Sequence, residues 1–119
     1  MKKTLVIGAS TNPERYSFKA INSLVNHQHT VVAIGQKIGE VAGVTIQTKA
    51  IPATKIHTVS LYVNPIAQRD YYNYIIGLEP KRVLFNPGTE NPEFYQLLKA
   101  NGIKYEEACT LVLLSTNQY

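Results

Sequence analysis

The sequence predicts an α/β fold, a three-layer α/β/α domain built on a parallel sheet. Two observations carry this expectation. Short apolar runs alternate along the chain with segments whose apolar residues recur at helical spacing. The turns that follow the runs, at residues 8–15, 35–37, 64–65 and 86–89, hold most of the glycines, prolines and asparagines. Right-handed crossovers gather such turns along one edge of a sheet. With 119 residues, the chain is expected to form a single domain, 1–119, with one substantial core.

Residues 4–7 form a continuous apolar strand, as burial on both sheet faces requires. Phe18, Ile21, Leu24 and Val25 give the next helix a buried stripe, and the polar residues 26–29 end it. Residues 30–34 are rich in β-branched side chains and form the second strand. Residues 35–43 read as a loop with three glycines, Lys37 and Glu40. Residues 44–46 are expected to be a short edge strand, and residues 49–55 are irregular around Pro52.

A strand over 58–63 leads to Asn64-Pro65, a helix cap followed by proline at the first helical position. Tyr71, Tyr74, Ile75 and Leu78 mark the buried side of one helix, which Glu79-Pro80 closes. The next strand covers 82–85, followed by the turn Asn86-Pro87-Gly88. Asn91-Pro92-Glu93 starts a helix with the stripe Phe94, Leu97 and Leu98, and Asn101-Gly102 ends it. The last clear strand covers 103–105. The apolar tail 110–114 is compatible with a strand or a helix.

Charge and composition exclude several function classes. The net charge of +4 is scattered, with no basic cluster and no aromatic-basic motif, so nucleic acid is not an expected partner. No apolar run is long enough to cross a membrane. Only a few apolar residues follow Met1-Lys2-Lys3 before Gly8, Ser10 and Asn12, so no signal segment is expected. The single Cys109 allows no internal disulfide and fits a cytoplasmic setting.

The chemistry centres on Gly8-Ala9-Ser10-Thr11-Asn12-Pro13, where a strand turns into a helix. Backbone N–H groups at such a turn point at an anion. Gly8 permits the turn, and the Ser10 and Thr11 hydroxyls are donors for phosphate oxygens. Arg15 follows, able to fork onto phosphate oxygens. Its place in a first helical turn, against the dipole, gives it a reason other than helix stability. Lys19, one turn further, reads as solvated.

A dinucleotide fingerprint wants glycine at two more places in this run, where Ser10 and Pro13 stand. It also wants an acid after the second strand, where Gly35-Gln36-Lys37 stand. Lys37 suits a phosphate better than a ribose diol. Cys109 reads as a buried structural thiol, because His27, His29 and His57 fall at the opposite sheet edge. No metal-ligand spacing or Ser-His-acid arrangement appears, so no catalytic or metal-binding residue is expected. Tyr71, Tyr72 and Tyr74 share one helix, as core packing or a self-association surface would explain. Glu90 and Glu93 suit a helix start.

The stretch VIGASTNPERYSFKA resembles the opening of small bacterial and archaeal CoA-binding proteins. These are similar to the CoA-binding domain of the succinyl-CoA synthetase α subunit. The resemblance continues through the strand-two loop, the Asn86-Pro87-Gly88 turn and Cys109. It implies a Rossmann-like sheet of about five parallel strands and coenzyme A, or an acyl-CoA, as ligand. It places the diphosphate over the first turn, with Gly8, Ala9, Ser10 and Arg15 matching that turn. Lys37 corresponds to a basic residue near the nucleotide phosphates.

Two features depart from the family pattern. Gly35-Gln36 stands where Asn-Pro is common, and Thr-Leu-Val-Leu-Leu follows the cysteine where a basic tail ending in Glu-His is usual. The phosphorylated histidine of the synthetases lies in a separate domain, so ligase activity is not implied. The resulting expectation is non-catalytic CoA binding. The alternatives are NAD(P) binding, a Cys109-dependent redox or acyl-transfer enzyme, and a homodimeric interaction subunit.

Overall fold

The computed structural model describes residues 1–119. Its strands are β1 (Thr4–Ala9), β2 (Val31–Gly35), β3 (Gly39–Val41), β4 (Val44–Gln47), β5 (Thr58–Leu61), β6 (Arg82–Phe85) and β7 (Lys104–Glu107). They form one seven-stranded sheet, ordered β3-β4-β2-β1-β5-β6-β7. Every neighbouring pair is parallel except β3 with β4. Counted without β3, the chain order across the sheet is 3-2-1-4-5-6, the Rossmann order. The α/β expectation therefore holds, with more strands than the five expected.

The added strand comes from the stretch expected to be a loop. Ala42 and Gly43 both have positive φ, 51° and 80°, as a two-residue hairpin turn needs. They fold β3 back on β4, so the strand expected at the sheet edge is interior, paired with β2 on its other side. A three-residue strand of Gly39, Glu40 and Val41 carries too little apolar pattern to be read from sequence.

The helices are α1 (Tyr16–Asn26), α2 (Pro65–Gln68), α3 (Tyr72–Leu78), α4 (Pro92–Ala100) and α5 (Thr110–Ser115). The segment expected to be one helix after Asn64 is α2, a 3-10 turn at Arg69–Tyr71 and α3. Gln68 is drawn inward at the break, where its Nε2 donates to the Val63 and Thr89 carbonyls at 2.9 and 2.7 Å. Asn64 and Asn91 cap α2 and α4 through their side chains, and Pro65 and Pro92 start both helices, as their spacing predicts. The ambiguous tail is helical.

Each sheet face has its own apolar layer. Leu5, Ile7, Leu61 and Phe85 face Ile75 of α3 and Phe94 and Leu98 of α4. Val6, Ala33 and Leu84 face Ile21 and Leu24 of α1 and Leu113 and Leu114 of α5. Alternation along β1 sends Leu5 and Ile7 one way and Val6 the other, as the two-residue period of a strand dictates. The helix tyrosines pack against the first layer. Tyr72 stacks on Phe94 at 4.3 Å, and the Tyr74 hydroxyl donates to the Ile51 carbonyl at 2.6 Å. No helix is long and apolar enough to cross a membrane.

Candidate phosphate-binding turn

Parallel pairing puts the ends of β2, β1 and β5 side by side at the carboxyl edge of the sheet. From β1 the chain builds outward through β2 on one side and later through β5 on the other, so this is the topological switch point. Two glycines set its shape. At Gly8 the β1–β2 register slips, and φ is +96°. A Cβ there would lie 2.9 Å from the Tyr62 carbonyl carbon and oxygen, so the β5 exit runs tight against the turn. At Gly35 a Cβ would overlap the carbonyl oxygen of Ala9. The end of β1 is thus pinched from both sides by backbone that admits no side chain.

The chain then forms a compact turn. Ser10 Oγ accepts from Asn12 N at 3.0 Å, Asn12 Oδ1 accepts from Glu14 N at 3.0 Å, and Asn12 O accepts from Arg15 N at 3.0 Å. Arg15 is the extended residue that precedes α1. No side chain caps α1, and no acid stands in its first turn. The positive end of its dipole is left without a counter-charge from the helix itself.

The predicted site residues fall in two adjoining loops. Gly8, Ala9, Ser10, Thr11 and Arg15 line one turn; Ala9 is buried, Gly8 and Ser10 are half-buried, and Thr11 and Arg15 are exposed. A Cβ on Gly39 would lie 2.5 Å from Thr11 Cγ2, so Thr11 abuts the first residue of β3, where the loop carrying exposed Lys37 ends. The sequence placed both loops at one edge, and the Thr11–Gly39 approach shows that they adjoin. Lys19 stands apart, its ammonium 5.3 Å from the Tyr16 ring centroid.

Sequence reasoning missed a buried polar cluster beneath the same edge. Asn86 Nδ2 donates to Ser60 Oγ and to the Leu61 carbonyl, both at 2.9 Å. Asn86 Oδ1 accepts from Thr110 N at 2.9 Å. The Ser60 and Thr110 hydroxyls share a bond of 2.8 Å, and the Tyr62 phenol lies beside them. Burial pushes the Tyr62 phenol up to about 12, outweighing the lowering by these two hydroxyls. A second group joins Gln68, Asn91 and Tyr72, with Asn91 Nδ2 donating to Gln68 Oε1 and Tyr72 Oη at 2.8 Å each. No buried side-chain polar atom lacks a partner. The only sequence signal for the cluster was the Asn86-Pro87-Gly88 turn.

Cys109 corrects an expectation. It is half-buried rather than buried, directly before α5 on the carboxyl edge. The histidines stand as expected at the amino edge. His29 Nδ1 accepts from Lys2 N at 2.9 Å, and His57 Nδ1 lies 2.8 Å from Thr58 Oγ1. Burial first, then neighbouring cations, lowers the pKa of both rings. No three His, Cys, Asp or Glu residues group as metal ligands.

Solved structures share this architecture along nearly the whole chain. A crystal structure of an uncharacterized protein is 46% identical with a TM-score of 0.96, covering 100% of this chain and 98% of that one. A hypothetical protein from Pyrococcus horikoshii OT3 is 28% identical with a TM-score of 0.82, covering 94% of this chain and 81% of that one. A Thermus thermophilus protein, cell-free ID.343, is 20% identical with a TM-score of 0.85, over 99% and 91% of the two chains, and shows the fold alone. No curated protein matches. With the switch-point turn in place, and residues 2–115 matching the family described as the CoA binding domain, the chain belongs to that family.

Proposed function

We propose that the chain binds coenzyme A, free or acylated, as a non-catalytic binding module, with the diphosphate over residues 8–15. The observation that carries this reading is the start of α1, which has neither cap nor acid and follows a turn that only glycine can make. Backbone amides there and the Ser10 and Thr11 hydroxyls are donors for phosphate oxygens, and Arg15 supplies a charged fork. Lys37, on the loop that ends beside Thr11, is the cation for the phosphates at the nucleotide end. NAD(P) fits less well: Lys37 follows β2 where an acid would hold a ribose diol, and Ser10 and Pro13 replace the further glycines.

A thermal shift with CoA, NAD and NADP side by side tests the ligand. A ligand at 100 times its dissociation constant stabilises the native state by about 2.7 kcal/mol. CoA is expected to give the largest rise. By calorimetry, Arg15→Ala should weaken CoA binding about tenfold or more, the scale of one hydrogen bond to a charged group. Ser10→Ala should weaken it less. No heat from the wild-type protein at millimolar CoA ends this reading, and a larger shift with NAD moves the assignment to the dinucleotide.

A second reading follows from Cys109, whose half-burial on the carboxyl edge leaves it open to reaction. In it, the Cys109 thiolate attacks CoA disulfide, forming a protein–CoA mixed disulfide and releasing one CoA thiol. Intact mass after incubation should then show one CoA adduct, lost in Cys109→Ser. An unchanged mass removes this reading and leaves CoA binding untouched.

A further inference from the structure

We infer that Asn86, remote in sequence from residues 8–15, is the positioning residue that holds that turn in shape. This rests on the reading of the turn as the anion site. Asn86 is 3% exposed at the end of β6, and its amide reaches two supports of the turn at once.

The first support is the exit of β5. Asn86 Nδ2 donates to Ser60 Oγ and to the Leu61 carbonyl, at 2.9 Å each. The next residue is Tyr62, whose carbonyl group is the backbone a Gly8 side chain would strike. Fixing Leu61 therefore fixes the wall against which Gly8 turns.

The second support is the start of α5. Cys109 offers α5 no side-chain cap. Asn86 Oδ1 stands in from another strand, accepting from Thr110 N at 2.9 Å. Thr110 Oγ1 is also tied to Ser60 Oγ at 2.8 Å. α5 and α1 pack into the same apolar layer through Leu113, Leu114, Ile21 and Leu24, and α1 begins beside Arg15.

The Asn86 main chain is fastened as well. Thr89 donates to the Asn86 carbonyl with its hydroxyl at 2.7 Å and its backbone N–H at 3.0 Å. A buried side chain bonded at both amide atoms, on an anchored main chain, can transmit position, because close-packed surroundings leave it no alternative placement.

The role separates from plain stability in two measurements. In the ligand-free Asn86→Ala protein, the backbone amide resonances of Gly8, Ser10, Thr11 and Arg15 should move, although the Asn86 side chain bonds only to Ser60, Leu61 and Thr110. CoA affinity by calorimetry, well below the melting temperature, should weaken about tenfold, the scale of losing a support behind a ligand-bearing group. Ser60→Ala removes one contact but keeps the links to Leu61 and Thr110, and should change affinity about twofold at most.

If Asn86→Ala does not fold, Asn86→Gln displaces the amide by one methylene and is judged on the same two measurements. Unmoved turn resonances with wild-type affinity, alongside a lowered melting temperature, overturn the inference. Equal loss in Ser60→Ala also overturns it, assigning the role to the hydroxyl pair. A wild-type protein that binds no CoA defeats the ligand reading, and the turn resonances then decide the role of Asn86 alone.

Discussion

Replacing Gly35 with alanine is expected to destabilise the protein by about 3 kcal/mol or more. The added methyl meets the carbonyl oxygen of Ala9, and Ile46 Cγ2 closes the other side at 3.0 Å. A flexible side chain could swing away, but a backbone carbonyl inside a paired sheet cannot. Relief comes only by parting the ends of β1 and β2, which breaks the Ala9–Gly35 register contact. The melting temperature should fall by about 10 °C or more for a chain of this size. The same parting distorts the turn at residues 8–15, so CoA-dependent stabilisation should be lost in whatever protein remains folded. Thermal melts by circular dichroism, with and without CoA, read both effects. A variant that melts with the wild type contradicts the pinched geometry of the switch point.

Phe94→Ala should cost about 3–5 kcal/mol. Phe94 is fully buried, stacks on Tyr72 and meets the edge of Phe85 at 5.9 Å. Removing the ring opens a cavity between α4 and β6 and takes away the platform under Tyr72. The Tyr72 hydroxyl in turn accepts from Asn91 and donates to Glu93 at 3.0 Å. Since domains hold only about 5–15 kcal/mol in total, the variant should lie near its unfolding midpoint in mild urea. Val112→Ala, at a 55% exposed position on α5, should stay within about 0.5 kcal/mol and is the control. A Phe94→Ala midpoint equal to that control contradicts the packing described.

The parts of this fold legible in the sequence are those that satisfy both burial and turn chemistry locally. β1, β2, β5 and β6 are apolar runs because helices cover both their faces; β2 and β6 end at Gly35 and Asn86-Pro87, while β5 stops at Leu61, two residues short of the expected 63. Asn64-Pro65 and Asn91-Pro92 mark two helix starts because cap and proline act within four residues. The chain hid what is decided across space. β3 exists because Ala42 accepts a left-handed conformation that alanine does not advertise. β7 is expected at 103–105, but its charged end at Glu106 and Glu107 carries no strand pattern, because it lies at the sheet border. The start of α5 has no cap residue of its own and borrows Asn86. In the candidate site, Gly8 and Arg15 announced themselves through residue type. The Ser60–Thr110 bond joins residues 50 apart, and no local pattern encodes that.

The sheet has two borders, and neither invites another strand. On one side β3 offers only three residues, with a glutamate in the middle. On the other, β7 carries exposed Lys104, Glu106 and Glu107. Short length and outward charge are the means by which natural proteins keep free peptide groups from templating fibrils or joining neighbouring molecules edge to edge. Neither border therefore offers a template on which a second chain could extend the sheet.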